Sequence, residues 1–371
     1  MPDSNADIVV AGHICLDMFP DLGTLASGAL ELHGRLFQIG PLRVATGGLV
    51  ANSGVALQRL GARVRLLATV GDDLIGESTL EALRRVSPEL TRELRIRENT
   101  SSSYTIVLAR PGEDRLFLHF AGPNLDFSLD DLDFGLLQGA RWFHFGYPPL
   151  LPSTFADGGQ ILLEIMQRAK AAGTVTSLDF TLPDPATASG KADWPRILKR
   201  VLPAVDVFVP SLDEAVYLLW RDHYLEWGGD VAPHVSRAML RQLTAELLAM
   251  GPAIAGIKLG DQGVSLLGSN PARLARMAHQ IPDIERWAGR TVEQPAFAVD
   301  VIGTTGAGDA AYSGLILALL DGLAPADAAR QFCAAGAATV ESADGLNSLP
   351  SATELRARFA NTPVVQSPFW R

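Results

Sequence analysis

The chain has 371 residues, 47% hydrophobic and 19% charged, which is enough to bury a large core, and its 31 basic and 41 acidic residues leave a net charge of −10. No Lys/Arg stripe suggests a nucleic-acid partner, and no apolar run approaches the roughly 18 residues of a membrane span. The acidic start "MPDSNADIVVAGH" lacks the basic region of a signal peptide, and Cys15 and Cys333 are the only cysteines, so a cytoplasmic protein without a disulfide framework is expected.

Along the chain, short β-rich apolar runs alternate with helical periodicity. "DIVVAG" (7–12) reads as a strand. Residues 18–46 alternate without a helical signal. Helical patterns at 50–60 and 76–86 flank the strand "RVRLLATV" (63–70). Residues 104–120, "YTIVLARPGEDRLFLHF", read as two strands joined by a Pro-Gly turn. With 18–46 they are expected to form a small separate sheet, the competing reading being an edge hairpin on the main sheet. In "QILLEIMQRAKAAG", Ile161, Leu162, Ile165, Met166 and Ala169 share a helical face, and Gly173 ends the helix. Strands follow at 174–180, 205–210, 254–260 and 296–302, and helices at 235–250, 309–320 and 325–341. Residues 183–195 read as a loop, and 268–295 as an insertion with one short basic helix. This alternation predicts an α/β fold whose mostly parallel sheet is covered on both faces.

The stretch "GTTGAGDAAYSG" (303–314) places Asp309 directly after Gly306-Ala307-Gly308. No GxxxxGK[ST] phosphate loop occurs. Gly306, Gly308 and Ala311 formally match a dinucleotide fingerprint, but Asp309 would then lie beside the pyrophosphate. Alternatively, the backbone N–H groups of 306–309 face a phosphoryl group while Asp309 takes a proton from an attacking hydroxyl. The plainest reading makes Asp309 the N-cap of helix 309–320.

A second cluster lies upstream. Gly47-Gly48 lets backbone approach a ligand closely, Asn52 sits one turn into the following helix, and Asp17 follows Gly12 by five residues. Asn52 can donate and accept hydrogen bonds to a polyol, and Asp17 can accept from two hydroxyls. Each residue also fits an ordinary turn or cap.

Taken together, "GHICLD" (12–17), "GGLVANSGVALQRLG" (47–61), "VGDDLIG" (70–76), "PSLDEA" (210–215), "KLGDQG" (258–263) and "TTGAGDA" (304–310) resemble the ribokinase-like, or PfkB, carbohydrate kinases. The resemblance spans nearly the whole chain. It implies a three-layer α/β/α fold with a mostly parallel central sheet and a small β-sheet lid. It also implies ATP- and Mg²⁺-dependent phosphorylation of a hydroxymethyl group on a sugar or nucleoside. By family position Asp309 resembles the catalytic base, and Gly306, Ala307 and Gly308 the anion hole. Asp17, Gly47, Gly48 and Asn52 resemble the sugar-binding set, Gly260 and Gly263 turns around the nucleotide, and Glu214 a residue that organises Mg²⁺ through water. Lys258 is placed either to reach a phosphate or to sit in solvent at a strand end. Segments 18–46 and 104–120 fall where the family builds its lid, which often mediates homodimers.

Two positions depart from the family pattern. Gly303 stands where an Asp helps hold a monovalent cation, which puts K⁺ activation in doubt, with Asp300 the nearest acid. Ser211 replaces the Asn of the NxxE motif, and Asp213 lies beside Glu214. His13, His119 and His144 lie near strand ends and read first as structural histidines, while Tyr147 could either stack on a sugar or pack. The rival readings are a dinucleotide-binding oxidoreductase, a sugar or nucleoside sensor on the same fold, and, for the acceptor, a keto-deoxy acid; Arg110 and Arg115 are present but not diagnostic for an acidic one.

Overall fold

The structure, a computed structural model, describes residues 8–23, 25, 34–109, 116–342 and 345–366. Arg110 and Arg115, and the Pro-Gly turn between them, lie outside these residues.

Strand Ile8–Gly12 shows how the main sheet arises. All five residues are buried, with Ile8 and Val10 in the apolar cluster on one face and Val9 and Ala11 in the cluster on the other. A strand covered on both sides needs a continuous apolar run rather than alternation. It lies in an eight-stranded sheet in the order Thr291–Gln294, Val264–Gly268, Ile254–Lys258, Val207–Phe208, Val175–Asp179, Trp142–Gly146, Ile8–Gly12, Val64–Leu67. Val64–Leu67 through Ile254–Lys258 pair in parallel, and the two strands at the far edge pair antiparallel. One face is packed by helices that include Gly48–Leu60, Ala307–Leu320 and Pro325–Val340, and the other by Gln160–Ala171, Trp194–Val201 and Arg237–Ala249.

A second, four-stranded sheet has the order Leu42–Gly47, Cys15–Pro20, Tyr104–Leu108, Leu116–Phe120. The segments 18–46 and 104–120 thus contribute strands to one small sheet, which begins earlier than expected, at Cys15. Its edge strand Leu116–Phe120 exposes all five residues.

Several sequence expectations need correction. Residues 296–302 are not a strand. Ala298 N–H donates to Pro363 O and Val365 N–H to Ala296 O, and only an isolated bridge between Phe297 and Val364 forms. The β-branched run is explained by its place along a cavity wall rather than by sheet pairing. The 63–70 run is broken into Val64–Leu67 and Thr69–Gly71, the latter pairing with Arg95–Arg97 in a separate ribbon. Residues 183–195 hold a short helix, Ala188–Lys191, and the start of another, because Thr187 and Asp193 cap them through their side chains. The 268–295 insertion contains the edge strand Thr291–Gln294 as well as a short helix, Pro271–Leu274. Strand Trp142–Gly146, absent from the strands expected above, lies near the sheet centre.

Candidate active site

Four parallel strands end at one place: Gly12, Gly146 with Tyr147, Asp179 and Lys258 all stand at carboxyl ends. Open α/β sheets bind ligands at this edge. Gly12, at φ 123°, approaches its neighbour so closely that a Cβ there would lie 2.4 Å from Gly146 O.

Asp309 comes to this edge from a helix. The helix starts at Ala307 with Gly306 as N-cap in a left-handed conformation, φ 75°. Asp309 is therefore in the third helical position and is not the cap. It is 4% exposed. Asn52 Nδ2 donates to its Oδ2 at 3.0 Å, and the Tyr147 hydroxyl donates at 2.9 and 3.1 Å to its two oxygens. Burial and the nearby Asp179 charge push the Asp309 carboxyl up to about 7, against the pull of Asn52, Lys258 and Tyr147. Tyr147 thus does more than pack. It is held at φ 61° with its hydroxyl on the carboxylate. First-turn N–H groups have no partner within their own helix. Here Ala307 N–H donates back to Thr304 O at 3.3 Å, so Gly308 and Asp309 carry more of any anion-binding role.

On one side of Asp309 lies a cavity of about 870 Å³ lined by Lys258, Gly260, Gly263, Phe297, Gly308 and Cys333, among others. That volume suits a nucleotide-sized ligand. Gly260 and Gly263 shape the turn after strand Ile254–Lys258. Gly263 has φ 104°, and a Cβ there would come within 2.0 Å of Gln294 O. Asp300 lines this cavity too.

Lys258 is not in solvent. Its side chain is 12% exposed, and its Nζ donates to Asp179 Oδ1 at 2.7 Å. Burial alone would push Lys258 down. The Asp179 and Glu214 carboxylates reverse this and hold it above its ordinary value. Burial raises both acids against the opposing Lys258 charge. Glu214 is turned onto its own helix start: Ser211 N–H donates to Glu214 Oε2 at 2.7 Å, and Glu214 N–H to Ser211 Oγ at 3.2 Å. The serine that departs from NxxE is thus a working N-cap. Asp179 Oδ2 is buried with no hydrogen-bond partner. An orphaned carboxylate oxygen beside Glu214 fits the water shell of a hard divalent cation, which favours oxygen ligands and sheds water reluctantly.

On the other side lie Asp17, Gly47, Gly48 and Asn52. A Cβ on Gly47 would lie 2.3 Å from Asp17 Oδ1, and one on Gly48, at φ 76°, 2.6 Å from His13 Nδ1. Only glycines fit beneath these side chains. Asp17 is 9% exposed, and burial raises its carboxyl to about 6. Asn52 Oδ1 has no partner, so the amide that donates to Asp309 still has an acceptor to offer. His144 is structural, its Nδ1 within 2.7 Å of Ser177 Oγ. His13 and His119 instead face each other, with ring centroids 5.3 Å apart.

The sequence reading missed Asp179. Its only signal was an acid closing a strand at the sheet edge where the other candidates converge. The glycine turn follows irregular chain rather than a strand, so the strand–turn–helix setting of a dinucleotide fingerprint is absent. Gly303 borders open space: a Cβ there meets nothing within 4 Å.

Comparison with known proteins bears on this arrangement. Residues 6–352 match the pfkB family carbohydrate kinase. Probable fructokinase-7 of Arabidopsis thaliana is 29% identical over 222 residues, covering 59% of this chain and 61% of that protein. The match thus spans about three-fifths of that relative's length. The aminoimidazole riboside kinase of Salmonella typhimurium is 25% identical over 327 residues, 86% of this chain and 90% of that one. Among solved structures, Arabidopsis thaliana ribokinase complexed with ribose and ATP superposes with a TM-score of 0.72 at 17% identity, covering 97% of this chain and all of that one, a likeness of fold alone.

Proposed function

The chain belongs to the pfkB family of carbohydrate kinases, and from that premise we propose that it transfers the γ-phosphoryl group of ATP to a hydroxymethyl group of a sugar or sugar-like acceptor, with Asp309 as general base. The observation that carries this reading is the buried Asp309 carboxylate, set between a nucleotide-sized cavity and the cluster of Asp17, Gly47, Gly48 and Asn52. The names of the relatives, a fructokinase and a riboside kinase, favour a free sugar or a riboside as acceptor.

In this reading Asp309 takes the proton as the acceptor oxygen attacks the γ-phosphorus, and the bond to the β-phosphate oxygen breaks to release ADP. Positioning does most of the work of such transfers, and a placed base adds typically 10²–10⁴-fold. Asn52 and Tyr147 fix the carboxylate's orientation. The N–H groups of the first helical turn face the transferring phosphoryl group, and Lys258, against Gly308, adds a fixed positive charge. Mg²⁺ would neutralise the phosphates, and Glu214 and Asp179 are the residues that would hold its water shell. The small sheet acts as a lid that excludes competing water. Two free thiols fit a cytoplasmic setting, where ATP is available.

The test is ATP consumption with Mg²⁺ against a panel of ketoses, pentoses, a keto-deoxy acid and nucleosides. One acceptor should raise ADP release well above the acceptor-free rate; identical rates with and without every acceptor would contradict the reading.

Asp309 sets a pH dependence. The base must be ionised, and its carboxyl titrates at about 7. The rate therefore falls with acidification below about pH 7, by up to tenfold per unit, and levels off above it. Stability moves oppositely. The folded protein holds this proton more tightly than the unfolded chain, so the Asp309 contribution to stability is present below the ordinary 3.8 and lost as pH rises through about 7. A pH–rate profile flat from 5 to 8 would remove Asp309 from the role.

Monovalent ions should matter little. With no carboxylate at Gly303, a cation would be held by backbone carbonyls with Asp300 as the nearest acid, and an uncompensated cation in a partly dry site is costly. Exchanging K⁺ for a bulky organic cation at saturating Mg²⁺-ATP should change turnover by less than about tenfold, ~1.4 kcal/mol in barrier. A larger loss would reveal a monovalent site built elsewhere, with Asp300 the first residue to replace.

A further inference from the structure

His13, Cys15 and His119 each present one potential ligand atom, and these three atoms all lie within 4.8 Å of one another. His13 is 2% exposed, yet neither ring nitrogen has a hydrogen-bond partner. Buried imidazoles are ordinarily satisfied, and an orphaned one facing a thiol and a second imidazole needs a reason. The carboxylate of Asp17 lies on the same cluster, Cys15 Sγ donating to Asp17 Oδ1 at 3.4 Å. Thr105 Oγ1 holds His119 Nδ1 at 3.0 Å, the kind of outer hydrogen bond that fixes a ligand imidazole's tautomer. His119 is on the exposed edge strand Leu116–Phe120, which leaves the cluster an access path.

A thiol and two imidazoles converging on one point are a donor set that a borderline-soft divalent ion prefers. Zinc takes nitrogen ligands at about 2.0–2.1 Å and sulfur at about 2.3 Å in a tetrahedron, so its ligand atoms stand roughly 3.5 Å apart. The cluster would have to close by about an ångström. We propose that His13, Cys15 and His119 form a binding site for a thiophilic divalent cation such as Zn²⁺, with water in the fourth position. On binding, the Cys15 S–H bond breaks, the proton passes to solvent and a sulfur–metal bond forms, with no change of oxidation state. An ion held here removes the proton that Cys15 donates to Asp17 and places a cation beside that carboxylate, and so alters the acceptor pocket. That consequence rests on the proposed placement of the acceptor, while the metal site itself does not.

The experiment is a titration of the full chain with Co²⁺, without ATP or acceptor, followed by optical absorption. A thiolate–cobalt charge-transfer band in the near ultraviolet and intense tetrahedral bands in the visible are expected, and Zn²⁺ should erase both. The chain has two cysteines, so the source of the thiolate can be assigned: Cys333→Ser should keep the band and Cys15→Ser should lose it. His119→Ala, on an exposed strand, should weaken Zn²⁺ binding at least tenfold even if Cys15→Ser folds poorly. The absence of a thiolate band in the wild type, a band that follows Cys333, or an unchanged affinity in His119→Ala would each overturn the site. A band that forms normally but is unmoved by the acceptor found in the substrate panel would count against the acceptor's placement at Asp17, and the metal site would stand.

Discussion

Asp309→Asn is expected to lower kcat by at least about 100-fold while leaving the fold and nucleotide affinity intact. The substitution keeps size and shape. Asn52 and Tyr147 keep hydrogen-bonding partners at 309, and the nucleotide cavity is lined by Ala307 and Gly308, which are unchanged. Only the capacity to accept a proton is lost. Stability should not fall, because the wild-type carboxyl is a desolvated group raised to about 7; above that pH the native state carries a buried charge that the amide does not. The acid limb of the pH–rate profile should vanish from whatever activity remains. Steady-state kinetics with thermal unfolding at pH 8 checks both parts. A near-normal kcat in folded Asp309→Asn would show that the acceptor is deprotonated by something else.

The largest stability effect is expected at Lys258. Its ammonium lies among three buried acids, Asp179 at 2.7 Å and Glu214 and Asp309 close enough to raise its pKa. Lys258→Met keeps the apolar stem and leaves these carboxylates without their cation. Removing one partner of a buried pair typically costs about 3–5 kcal/mol, because the remaining charge is uncompensated. The cost should depend on pH. Without Lys258 the acids rise further, so the folded state takes up protons that the unfolded chain does not, and stability recovers as pH falls. Denaturant unfolding at pH 8 should show a loss of about 3 kcal/mol or more, and a smaller one at pH 6. Equal stability of wild type and Lys258→Met at pH 8 would mean that the acids are already protonated and that the lysine is structurally idle.

The parts of the molecule legible in the sequence were those whose physics is local. The run Ile8–Gly12 buries both faces and reads as a parallel strand. The periodic face of Gln160–Ala171 points into one cluster, and the Gly47–Gly48 pair, read as leaving room for a ligand, leaves room for the Asp17 and His13 side chains. What stayed hidden depends on partners distant in sequence. Residues 296–302 have the composition of a strand, but their neighbours are 363–365 and the cavity rather than a sheet edge. Residues 142–146 hold three aromatics and a histidine in "WFHFG", less plainly a strand than a Val/Ile run, yet they lie between Ile8–Gly12 and Val175–Asp179. Asp179 and Tyr147 carry no motif. Their roles exist only because strand ends bring them to Lys258 and Asp309, 79 and 162 residues away. Lys258 itself was undecided between phosphate and solvent, since nothing local shows that three acids surround its ammonium.

The most direct measurement is the proton-coupled phosphorus NMR spectrum of the product formed from ATP, Mg²⁺ and the best acceptor of the panel. Transfer to a hydroxymethyl group, with Asp309 beside the attacking oxygen, predicts a phosphomonoester signal split into a triplet by two methylene protons. That signal should accumulate with the wild type and not, over the same time, with Asp309→Asn. A doublet would place the phosphate on a secondary alcohol, and inorganic phosphate alone would make water the acceptor. Either result, or an undiminished triplet from Asp309→Asn, would contradict the account.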